Sequence, residues 1–141
     1  MATDFLSKFE TNSLPGGRLV QCKASGGITL NDVVLLVTAA EADKLVPVVK
    51  TSDDNDSTLV YGVAYETKAD GEYVLIKKGG LAKVKITCST VAIAVGDALA
   101  SDNGGGAKEA ASASAVLTHL GKALQASTVQ NDEILIDMDM P

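Results

Sequence analysis

The stretch Leu81-Ala82-Lys83-Val84-Lys85-Ile86-Thr87-Cys88 decides the fold class. Ala82, Val84, Ile86 and Cys88 alternate with Lys83, Lys85 and Thr87, so one side is apolar and the other wettable. A period of two belongs to a β-strand, whose successive side chains point to opposite faces; this division is that of a half-buried antiparallel strand. The same period predicts strands at Arg18–Lys23, Ile28–Leu30, Val33–Thr38, Leu45–Lys50, Thr58–Glu66, Glu72–Lys78, Val91–Val95, Ala98–Ser101, Leu120–Gln125 and Glu133–Met140. Between them lie turn signals at Gly26-Gly27, Asn31-Asp32, Ala69-Asp70-Gly71 and Gly96-Asp97, and loops at Asp53–Ser57 and Asp102–Gly106. Pro47 places its strand at an edge or a strand start. Gly79-Gly80 is expected to fold two lysine-bearing strands back on each other as a hairpin. Ala107–Leu120 stays open between helix and strand: Ala110, Ala113, Leu117 and Leu120 recur at helical spacing, while Ser112, Ser114 and Thr118 weigh against a helix.

The strand pattern repeats along the chain. Leu30–Leu35 resembles Val95–Ala100, Tyr61–Glu66 resembles Leu120–Gln125, and Val74–Lys78 resembles Ile134–Met138. Each half runs turn, strand, loop, glycine-bearing strand, turn, strand. Two such units, each burying one face, predict a mainly β chain folded as a small β-barrel or β-sandwich with two similar halves and at most one or two short helices. Residues 1–17 read as a flexible arm, in which Phe5, Leu6 and Phe9 precede the breaker Asn12-Ser13-Leu14-Pro15-Gly16-Gly17. Residues 18–141 read as one β domain.

Composition narrows what such a domain can do. The 141 residues have a mass of 14.4 kDa, and a folded chain of this size buries roughly 70% of its unfolded surface without needing a metal or disulfide. The net charge is −6, there is no Trp, and only three Tyr and two Phe are present. Nucleic-acid binders are normally basic and richer in stacking aromatics, so no nucleic-acid partner is expected. No apolar run approaches the roughly 20 residues of a membrane helix, so no membrane partner is expected. Met1–Lys8 lacks the pattern of a secretory signal, which leads to the expectation of a soluble protein made in a cytosol.

Candidate chemistry is sparse. His119 is the only histidine and has no nucleophile motif beside it. Cys22 and Cys88, 66 residues apart by numbering, match no metal or redox spacing and read as small buried residues. Gly104-Gly105-Gly106-Ala107-Lys108 lacks phosphate-loop spacing and reads as a flexible loop. Asp53-Asp54-Asn55-Asp56 lacks the glycine and terminal glutamate of a calcium loop and reads as solvated. No catalytic residue, cofactor or metal is therefore expected. Lys77, Lys78, Lys83 and Lys85 cluster around Gly79-Gly80, either as a solvated guard on a sheet edge or as a basic surface for an acidic partner.

Val60–Glu66, Ala69–Val74 and Gly79-Gly80 resemble the first half of the capsid cement (head decoration) proteins of tailed phages. Val95–Leu99, the glycine-rich loop and Leu120–Gln125 resemble the second half, so that the likeness spans about residues 26–138. It implies a non-enzymatic virion protein on the outer capsid surface, a homotrimer at threefold or quasi-threefold positions, locking neighbouring major capsid proteins after expansion. The arm, with Phe5, Leu6, Phe9 and Leu14, suits a segment that orders against that partner. The alternative is a small β-barrel binding module for carbohydrate or host-surface attachment, against which the scarcity of aromatics counts.

Overall fold

The computed structural model describes residues 14–38, 45–111 and 119–138. Ten strands form: β1 (Arg18–Ala24), β2 (Val33–Leu36), β3 (Val48–Thr51), β4 (Val60–Ala64), β5 (Tyr73–Lys78), β6 (Gly80–Lys85), β7 (Ala98–Ser101), β8 (Ala107–Glu109), β9 (His119–Ala123) and β10 (Glu133–Met138). The described helical structure is one 3-10 turn at Asn103–Gly105. β1 to β5 close into a barrel in the order β1-β3-β2-β4-β5, and β6 to β10 form a sheet in the order β6-β10-β9-β7-β8.

The two units repeat one connectivity. β1 pairs antiparallel with β5 as β6 does with β10, placing Cys22 opposite Val74 and Val84 opposite Ile134. β2 and β4 pair with a register shift between Val34 and Leu35; β7 and β9 pair with the same shift between Leu99 and Ala100. The Ile28↔Lys68 bridge is matched by Ile93↔Ser127. Turn chemistry repeats as well: the Thr29 N–H donates to Asp32 Oδ2 at 3.0 Å and the Ala94 N–H to Asp97 Oδ2 at 2.9 Å. The Leu75 N–H donates to Glu66 Oε1 at 3.1 Å and the Leu135 N–H to Gln125 Oε1 at 2.9 Å. Gly62 and Gly121 occupy one position of the repeat, where a Cβ would run into the carbonyls of Lys77 and Asp137. Close approach to the neighbouring strand thus excludes a side chain from both.

Closure differs between the units. β1 and β3 pair in parallel through Lys23↔Val48 and Ala24↔Val49, whereas in the second unit Ile86, just past β6, makes one parallel bridge to Ala107 of β8 among the described residues. One core, containing Cys22, Ala24, Ile28, Val34, Val49, Ala64, Val74 and Ile76, lies inside the first unit. The other contains Val84, Ile86, Leu99, Leu120, Ile134 and Ile136, and also takes in Val33 and Val63 of the first unit.

Two expectations are corrected, and a segment left open is resolved in part. Gly79-Gly80 is not a hairpin turn: β5 pairs with β1 and β4, β6 pairs with β10, and the glycines carry the chain from one unit to the other. Ile28–Leu30 and Val91–Val95 are not full strands; each contributes one bridge. Ala107–Glu109, at the head of the undecided segment, is a strand, while residues 112–118 lie outside the described residues.

Candidate interaction surface

The chain enters the first unit along the seam between the two. The Leu81 N–H donates to the Pro15 carbonyl at 2.9 Å, so residues 14–16 lie against the outer edge of β6. A strand residue in that place would return an N–H to the Leu81 carbonyl, and proline has none to give. Lys77 supplies the missing donor: its Nζ donates to the Leu81 carbonyl at 2.6 Å and to the Leu14 carbonyl. Gly16 and Gly17 meet Gly79 and Gly80 backbone to backbone; a Cβ on Gly17 would overlap the Gly79 carbonyl, and all four have positive φ.

The four lysines therefore do not form one face. Lys77 is only 7% exposed, and burial lowers its pKa. Its partner-facing role is corrected to a structural one, a distinction that alternation cannot make because the covering group is the entering chain. Lys78 lies opposite Arg18 across the β1–β5 ladder, its Nζ 3.9 Å from the centroid of the Tyr61 ring. Its pKa is lowered by burial and then by the charge of Arg18. Lys83 and Lys85 are half-buried on β6. Leu14 is half-buried at the seam, whereas Phe5, Leu6 and Phe9 lie outside the described residues.

A groove of about 270 Å³ runs beside this seam, lined by Leu14, Gly16, Arg18, Leu19, Tyr65 and Lys77 among others. Leu19 is 46% exposed on β1. Sequence reasoning missed this edge, because Arg18–Lys23 reads as an ordinary strand whichever side its neighbours take.

The remaining candidates hold the fold together. The acidic loop is tied across the units: Asp56 Oδ2 sits 2.9 Å from Lys108 Nζ, and Asp56 Oδ1 accepts the Ala111 N–H at 3.0 Å. Desolvation raises the pKa of Asp56, but that hydrogen bond and Lys108 outweigh it, and the net shift is downward. The Ser57 N–H donates to Ser101 Oγ, which donates to the Asp54 carbonyl, both at 3.0 Å. In the glycine-rich loop the Gly105 N–H donates to the Ser52 carbonyl at 3.0 Å, so this loop is a joint between the units. Cys22 is buried and its thiol pKa is pushed up to about 11, first by desolvation. Cys88 is half-buried and also raised, mainly by desolvation. His119 is half-buried on β9 beside the register shift. Among the described residues, no group of three or more His, Cys, Asp or Glu is placed to hold a metal ion, and no helix is long and apolar enough to cross a membrane.

Residues 15–138 match the family model described as phage cement protein. A solved structure described as the head fiber gp8.5 N base in bacteriophage phi29 has a similar fold, with a TM-score of 0.61 and 14% identity over 88% of this chain and 95% of that one. No curated protein matches the chain.

Proposed function

Because the chain belongs to the phage cement protein family, we propose that it decorates and stabilises the outside of an expanded phage head, docking as a homotrimer between major capsid proteins at threefold or quasi-threefold sites. The observation that carries this reading is the family match over residues 15–138, which takes in both β units rather than a fragment of one. The protein is then made in the host cytoplasm, resides on the virion surface and performs no reaction. A net charge of −6 keeps unbound copies apart. Docking as a trimer multiplies weak single contacts into stable occupancy.

Phe5, Leu6 and Phe9 supply the apolar contact of the arm with the shell, and Leu14 fixes its root, because Lys77 holds the Leu14 carbonyl at the seam. Lys83 and Lys85 offer the basic surface beside that root. The test combines solution mass with binding to expanded empty heads and to a glycan panel. A trimer that saturates heads at a fixed ratio supports the reading; a monomer that ignores heads and binds sugar refutes it. Deleting residues 2–13 is expected to lower head occupancy, and unchanged occupancy would remove the arm from the account.

A further inference from the structure

The repeat makes the outer edges of β1 and β6 directly comparable. Ala24 exchanges backbone hydrogen bonds with the β5 side, its N–H donating to the Glu72 carbonyl and its carbonyl accepting the Gly71 N–H. The Lys23 N–H points the other way, to the Pro47 carbonyl. Hydrogen-bonding direction alternates along a strand, so Leu19 and Gln21 also direct their N–H and C=O groups away from β5. β3 reaches β1 only at Lys23 and Ala24, which leaves the edge at Leu19 and Gln21 without a strand beside it among the described residues. In the second unit Leu81 holds the place that Leu19 holds in the first, since Cys22 and Val84 correspond. There the edge is covered: residues 14–16 lie along it, and Pro15 accepts the Leu81 N–H.

Charge beside the β1 edge says what would cover it. Arg18 and Lys78 are direct cross-strand partners, an arrangement of like charges that destabilises a sheet. Among the described residues, neither is within ion-pair distance of a carboxylate.

We infer that the outer edge of β1 accepts an extended acidic segment of the shell subunit as an added strand, its backbone pairing with Leu19 and Gln21 and a carboxylate of that segment pairing with Arg18. The inference rests on the capsid-docking reading and assigns a second contact, separate from the arm. The main chain supplies register, and Arg18, whose cross-strand neighbour Lys78 is also a cation, selects an acidic segment over a neutral one.

Arg18→Glu is the discriminating variant. It replaces a like-charge pair by an opposite one, so the isolated protein is expected to melt at the same temperature or higher. Its affinity for expanded empty heads is expected to fall about tenfold or more, the loss of one charge-assisted hydrogen bond. Leu19→Pro removes the outward N–H and is expected to weaken binding similarly. Lys122→Glu, an exposed charge reversal on β9, is the matched control and is expected to bind as the parent does. A photoreactive residue at position 21 is expected to crosslink to the shell subunit. Arg18→Glu that folds and saturates heads like the parent overturns the inference while leaving the capsid reading in place, and remains decisive if Leu19→Pro fails to fold. A parent protein that does not bind heads overturns both.

Discussion

The two β units are copies in connectivity and unequal in self-sufficiency. The first closes through a parallel pair of strands around a core drawn from its own residues. The second is a sheet whose edges meet at one bridge among the described residues, and its core takes in Val33 and Val63 from the first. The two units thus share a pairing pattern, and the first supports the core of the second. The hydrogen bonds that Ser52, Asp54 and Asp56 accept from Gly105, Ser101 and Ala111 reinforce that dependence.

The sharpest way to break the comparison is to damage equivalent positions. Ile76 and Ile136 are both fully buried at matched places on β5 and β10. Truncation to Ala is expected to cost about 2–5 kcal/mol at either site. Urea unfolding of each variant is expected to remain a single transition; two separated transitions would show that the units fold independently. Val63→Ala is next, at about 2 kcal/mol for two lost methyl groups and the cavity they leave. Although Val63 belongs to the first unit, hydrogen exchange in this variant is expected to quicken in β9 and β10. Protection lost only from β2 and β4 would contradict the shared core.

The smallest effect lies at the joint. The pKa of Asp56 is lowered in the folded protein, so its contribution is complete above the unfolded carboxylate value and is lost as pH falls through the still lower folded value. Asp56→Asn is expected to cost about 0.5–1 kcal/mol near neutral pH, as for a partly exposed ion pair, and to flatten acid unfolding below pH 3.8. Asp32 has the opposite sign. Burial, opposed by the Thr29 and Thr51 hydrogen bonds and by Lys85, raises its pKa, so its ionisation costs stability that returns as pH falls through the raised value. A melting-temperature profile of Asp32→Asn parallel to the parent's through that range would contradict this.

Much of the fold is legible in the residues. Alternation locates Ala98–Ser101 at its structural bounds and most other strands within a residue or two, since one face of each is buried and the other wet. Gly62 and Gly121, Asp32 and Asp97, Glu66 and Gln125 betray the repeat because each performs a backbone task that few residue types can perform. Gly79-Gly80 misleads because a positive-φ pair reads alike whether the chain turns back or crosses to another sheet. Lys77 misleads because the groups that bury it, Leu14 and Leu81, arrive from the entering chain and from the next unit. The β1 edge is invisible to pattern for the same reason: pairing depends on where distant strands stop.

The cement account is tested most directly by heating expanded, DNA-free heads with increasing amounts of the protein and recording the temperature at which shells lose integrity. The account predicts that this temperature rises and then plateaus at a fixed number of copies per head. An unchanged temperature at saturating protein, with no copies retained on the sedimented shells, would contradict it.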